Sequence, residues 1–202
     1  MESYEYDWLY DNLEDILLHP ENHENLVENA KKTFVDSKSK QTWEYIIAGL
    51  VNNHYLEKWL IEISNGELRP QNPTFEYLEM RRGNKDFDFD NGWEAKHYTT
   101  STGGYNWLLH LRDWMKSGCP REKLEWVNDF GYRQFISEKT KYAKGVIMVI
   151  YNPKYEERPD KLLVMWMNFK DYAIYSTYLP ISDTFKWKSP QKILYNKEEL
   201  RK

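Results

Sequence analysis

The six residues GVIMVI at positions 145–150 carry no polar side chain. A strand of that kind needs cover on both faces, which a sheet buried between layers supplies. The run therefore predicts a central buried strand with other elements packed on each side of it. With 202 residues, 41% of them hydrophobic, the chain can build one sizeable core. The expectation is a single domain over 1–202, in which 1–38 form a helical N-terminal extension and 153–202 the C-terminal strands and tail.

Helical periodicity dominates the first third. YDWLYDNLEDILL sets Trp8, Leu9, Leu13, Ile16 and Leu17 at helical spacing, with Pro20 as the stop. PENHENLVENAKKTFVD gives a second helix with Leu26, Val27, Ala30 and Phe34 on one side. The longest pattern is SKQTWEYIIAGLVNNHYLEKWLIEIS, capped by Ser39 or Thr42 and ended by Asn65-Gly66. Its apolar stripe of Trp43, Ile46, Ile47, Leu50 and Ile61 brings His54 and Glu57 to the core-facing side. A buried ionised Glu57 needs a cation or a hydrogen-bond network, and His54 is either a satisfied core histidine or a ligand.

After Asn65-Gly66 the period falls to two. TFEYLEMRR, KDFDFD and WEAKHYTT read as strands, TSTGG breaks the pattern, and YNWLLHLRDWMKSG and PREKLEWVNDFGYRQFISEKTKYA read as helices. KLLVMWMNF and DYAIYSTYL follow the buried run as further strands. This order implies an α/β or α+β sandwich with a mixed sheet and helices covering it.

The densest chemistry lies in KDFDFDNGWEAKHY, residues 85–98. A two-residue Asn91-Gly92 turn would mix aromatics and charges on each face. A three-residue loop, Asp90-Asn91-Gly92, with the glycine left-handed, pairs Phe89 with Trp93 and separates them. Phe87, Phe89, Trp93 and Ala95 then share one face, and Asp86, Asp88, Glu94 and Lys96 the other. Burial selects the segregated register, because a one-residue slip buries charges. It sets Asp88 opposite Glu94, with Cβ atoms about 5 Å apart. Such a pair repels, and a hard divalent cation relieves it better than one lysine does. The bland alternative is a solvated hairpin face with an Asp86–Lys96 rim pair.

Composition removes several classes. One cysteine, Cys119, excludes an intramolecular disulfide framework and any multi-cysteine metal cluster. No run of about 18 apolar residues exists, so no membrane association is expected. MESYEYDWLYDNLEDILLH lacks the basic and apolar regions of a secretory signal, which points to the cytoplasm, the host's if the source is viral. A formal net charge of −4 disfavours a protein that only coats nucleic acid. There is no HExxH and no nucleophile elbow.

The nine residues DFDNGWEAK, 88–96, resemble the lone Asp and Glu-x-Lys of the PD-(D/E)xK nuclease superfamily. The order of elements over roughly residues 40–152 is similar too, and GLVNNH resembles the histidine-bearing helix of its RecB-like branch without an iron–sulfur cluster. The resemblance implies an α/β, restriction-endonuclease-like αβββαβ core with a mixed central sheet flanked by helices, the catalytic core falling in 39–152. It implies a DNA nuclease using Mg²⁺ or Mn²⁺, with single-stranded DNA as one candidate substrate, and dimers are common in the superfamily. The aromatic, asparagine-rich and glycine-poor composition suggests a viral or mobile-element origin. Asp88, Glu94 and Lys96 become the catalytic residues. Asp88, Glu94, the Ala95 carbonyl and His54 become metal ligands, with Glu57 and Asp86 as further candidates. Arg81, Arg82, Lys85, Lys139, Lys141, Lys186, Trp187 and Lys188 would contact DNA; each also reads as ordinary surface. The rival class is an acidic binding protein, an inhibitor or immunity protein whose carboxylates meet a basic partner.

Overall fold

The computed structural model describes residues 6–34, 42–69, 88–89, 92–98, 100–118, 144–151, 161–181, 188, 190 and 193–194. The chain divides into two compact units. In the first lie α1 (Tyr6–Leu18), a 3-10 turn (Pro20–His23), α2 (Glu24–Phe34) and most of α3 (Trp43–Ile63). In the second lie a four-stranded sheet and α4 (Ser101–Lys116).

The helices of the first unit follow from their apolar spacing. Leu9, Leu13, Ile16 and Leu17 of α1 are buried against Leu26 and Ala30 of α2 and Ile46, Ile47 and Val51 of α3. Trp8 does not join that stripe and is 37% exposed. It precedes Leu9, so it is rotated by about 100° from it around the helix. Its ring instead stands edge-on to His23, centroids 5.9 Å apart. Pro20 stops α1 as expected by opening the 3-10 turn. The α3 helix begins just after Thr42 and ends where Asn65 and Gly66 take positive φ.

The sheet has the order β1 (Trp93–Tyr98), β2 (Gly145–Ile150), β3 (Lys161–Asn168), β4 (Ile174–Pro180). β1 and β2 are parallel, and the other pairs are antiparallel. The fold of this unit is therefore α/β with a mixed sheet. As its composition predicts, β2 is central and buried along its whole length. A parallel pair needs a crossover, and α4 lies on it, as in other strand–helix–strand units.

Trp107, Leu108, Leu111 and Trp114 of α4 pack over Val146, Met148 and Ile150 of β2 and Met165 and Met167 of β3. The helix starts at Ser101, earlier than the Gly103-Gly104 pair had led us to expect. Thr100 caps it, its hydroxyl accepting from the Gly103 N–H at 3.0 Å. Gly104 is there for space: a Cβ would come within 2.4 Å of Ile150 Cδ1 and 3.2 Å of Met148 Cγ. Glycine in a helix costs about 1 kcal/mol in propensity. Here it lets the first turn of α4 approach the sheet.

Among the described residues no helix is long and apolar enough to cross a membrane. The expected strand TFEYLEMRR, most of KDFDFD and the expected helix after Cys119 lie outside the described residues.

Candidate active site

The hairpin turn forms as the segregated register requires. The Phe89 N–H donates to the Trp93 carbonyl at 3.2 Å, and the Gly92 N–H to the Phe89 carbonyl at 3.1 Å. Gly92 has φ +86, the left-handed conformation in which a side chain would be strained. Phe89 is fully buried and Ala95 is buried on the same strand pair.

Asp88 departs from the expectation of a plain cross-strand pair. Its Oδ2 accepts the Ala95 N–H at 2.7 Å. The bond that a continued ladder would give to a backbone carbonyl goes to this carboxylate, and Asp88 itself lies in a bend. Backbone parity then fixes where the neighbouring carbonyl points. The carbonyls of Gly92 and Tyr98 accept from Lys144 and Tyr151 at the two ends of β2, so even-numbered residues of β1 turn their peptide groups to β2. The N–H and C=O of one strand residue point the same way, and those of Ala95 therefore face the opposite edge, where Asp88 sits.

Glu94 and Lys96 are aligned with Val146 and Met148 in the parallel register. They accordingly share the sheet face that α4 covers. Glu94 is only 2% exposed, and Lys96 Nζ lies 2.5 Å from its Oε1. The solvated hairpin face is thereby overturned: the carboxylate points into the protein. Two residues apart on one strand face, this pair is readable from period two alone; Asp86, the partner expected for Lys96 on a solvated hairpin, lies outside the described residues. Tyr98, on the same face, packs against the α4 core cluster.

Removing a carboxylate from water costs several kcal/mol unless it is paired. The lysine provides that pairing, at a charge-assisted distance. Buried, specifically paired carboxylates of this sort concentrate at functional sites. Among the described residues no group of three His, Cys, Asp or Glu side chains is gathered as a metal cage. Asp88 and the Ala95 carbonyl lie toward the same edge of β1, and Glu94 is the neighbouring residue on that strand; all three offer hard oxygens, as Mg²⁺ prefers. A carboxylate offers about four lone-pair sites, so the Ala95 amide on one oxygen of Asp88 is compatible with a cation on the carboxylate.

The other expected site residues fall elsewhere or outside view. His54 belongs to the first unit, on α3, buried as its helical phase predicts. Its ring stacks on Tyr6 with centroids 3.8 Å apart and meets Tyr55 edge-on at 5.3 Å. Glu57, also on α3, is half-buried. Lys188 is turned inward: its ammonium donates to the Tyr10 carbonyl and lies 4.1 Å from the centroid of the Tyr10 ring. Burial lowers its pKa, opposed by Asp11 and Glu14. Its backbone is held by Asn52, whose side chain accepts the Lys188 N–H at 3.0 Å and donates to its carbonyl at 2.8 Å. Sequence reasoning gave Asn52 no role, and no local pattern marks it. Asp86, Arg81, Arg82, Lys85, Lys139, Lys141, Lys186 and Trp187 lie outside the described residues.

Burial holds the His54 imidazole down to about 4, with Lys58 adding to the effect and Asp7 opposing it. The unfolded value is about 6.5, so the unfolded chain binds the extra proton first as pH falls. The stabilisation is complete above pH 6.5 and drains away between 6.5 and 4. Urea unfolding should accordingly show wild type losing about 2 kcal/mol more than His54→Phe between pH 7 and 4.5. Parallel pH profiles for the two proteins would refute a buried neutral imidazole.

No protein-family model matches the chain, and no curated protein or solved structure matches it significantly. What the site can do is therefore argued from its own chemistry.

Proposed function

We propose that this chain is a divalent-metal-dependent DNA nuclease with a restriction-endonuclease-like core. The observation that carries the reading is the burial of Glu94 at 2% exposure, paired with Lys96 at 2.5 Å on the strand whose Ala95 amide holds Asp88. A structural hairpin gains nothing from turning a carboxylate inward, whereas a hydrolytic site needs acid groups shielded from bulk water. Further support comes from the order α3, β1, α4, β2, which is compatible with an αβββαβ core whose other two strands would fall outside the described residues.

Asp88, Glu94 and the Ala95 carbonyl would hold Mg²⁺ or Mn²⁺. The bound cation supplies Lewis acidity toward the phosphate and a more acidic water. The rest falls to the chain itself. Asp88 is oriented by the Ala95 amide, and so is fixed relative to the strand that carries Glu94. Lys96 brings a positive charge to the place where the phosphate gains negative charge, or positions the attacking water. The α4 core, which covers the sheet face that carries Glu94 and Lys96, keeps these groups in place and shields that face from bulk water.

The test is incubation of end-labelled single-stranded and duplex DNA with the purified protein in Mg²⁺ or Mn²⁺. Cleavage of either form supports the reading, and the preferred form identifies the substrate. If both forms stay intact with a folded protein, the acidic binding-protein reading takes its place.

A further inference from the structure

We infer that Lys96 is the resident counter-ion of Glu94, and that it must leave this carboxylate before a divalent cation can take its place. The inference rests on the nuclease reading and concerns how that site is loaded. Lys96 Nζ and Glu94 Oε1 are 2.5 Å apart, and the carboxylate is 2% exposed while the lysine side chain is 22% exposed. The two ends of the pair are thus unequal. Glu94 is fixed inside, under the α4 face of the sheet. Lys96 sits at the boundary, and its four-carbon stem can swing the ammonium to solvent or to a bound phosphate.

A buried carboxylate without a cation is unfavourable, so Lys96 stabilises the metal-free fold. The same charge opposes an incoming cation, since two positive groups cannot share one carboxylate oxygen without repulsion. Loading therefore exchanges one positive charge for another at Glu94. The exchange also frees the ammonium at the moment when the phosphate of the DNA needs it. On this account Lys96 is a positioning residue that neutralises Glu94 until a cation binds, besides any part it takes in cleavage.

The experiment is a Mn²⁺ titration of protein stripped with EDTA and dialysed, followed by the free Mn²⁺ signal in electron paramagnetic resonance. Mn²⁺ alone is the probe, so no substrate enters the measurement. Lys96→Met should bind about tenfold more tightly than wild type, the scale on which a charge within a few ångströms alters cation affinity. Glu94→Gln should lose this binding. Mn²⁺ should also raise the unfolding temperature of Lys96→Met by more than that of wild type, because the variant binds it more tightly. Lys96→Gln, which keeps a hydrogen bond to Glu94, serves if Lys96→Met does not fold, with the same expected direction. Wild type that binds Mn²⁺ as tightly as the lysine variants would overturn the counter-ion role and leave the nuclease reading standing. No Mn²⁺ binding by wild type or lysine variants would remove both.

Discussion

Glu94→Gln is expected to lower DNA cleavage by at least about a hundredfold while the sheet stays folded. Outer-shell changes around a metal already cost about 10–100-fold in affinity or activity, and a direct ligand should cost no less. Glutamine preserves the volume and an oxygen that can accept from Lys96, so the packing under α4 persists. The change removes one partner of a buried pair, which costs about 3–5 kcal/mol when both ends are enclosed. Here the lysine is 22% exposed and can turn to water, so the loss of stability should be smaller. Circular dichroism and urea unfolding on the same preparation separate the two effects. A folded Glu94→Gln protein that still cuts at the wild-type rate would take Glu94 out of the active site.

Asn52→Leu should destabilise the first unit by about 2–3 kcal/mol, the scale for two hydrogen bonds left unmade beside a closely matched apolar side chain. Asn52 is 1% exposed, and both its amide groups are spent on the Lys188 backbone. Leucine fills the volume but satisfies neither the Lys188 N–H nor its carbonyl. A lowered urea midpoint with an unchanged slope would report this loss. Lys188→Met is the informative companion. It keeps both backbone bonds and removes the ammonium, with its bond to the Tyr10 carbonyl and its contact with the Tyr10 ring, the latter worth about 0.5–1 kcal/mol at exposed sites and more when desolvated. If Asn52→Leu unfolds at the same urea concentration as wild type, the clamp contributes nothing and Lys188 is held by other means.

These two residues show what a sequence does and does not disclose. The helix YDWLYDNLEDILL is the α1 of the structure, Tyr6–Leu18, because spacing, a following proline and length all agree. The central strand was legible in GVIMVI, since only a doubly covered strand tolerates six apolar residues in a row. The hairpin turn was legible too: Gly92 takes the left-handed conformation that the three-residue loop requires, and Phe89 bonds to Trp93 as that register demands. In each case the deciding interaction is local.

The rest depends on what meets what across the chain. The sequence leaves Glu94 between a metal site and a wet face, because nothing near it says that β1 lies parallel to β2 with α4 over both. The bond from the Ala95 amide to the Asp88 side chain appears only in the folded strand pair, where a backbone carbonyl would be the expected acceptor. Lys188 read as one of several basic residues in a mixed tail. Its partner Asn52 is 136 positions away, too far for any periodicity to connect them. Gly103-Gly104 read as a break, yet they open a helix, because the space that Gly104 leaves is set by Ile150 and Met148 on another strand.

Metal dependence of cleavage by the wild-type protein bears most directly on the central claim. The protein would be stripped with EDTA, checked for native structure, and supplied with labelled DNA before and after Mg²⁺ or Mn²⁺ is restored. The expected result is intact DNA in EDTA and cleavage on restoring either metal. Cleavage that persists in EDTA, or DNA left intact with both metals by a folded protein, would contradict the assignment of Asp88, Glu94 and Lys96 as a metal-dependent nuclease site.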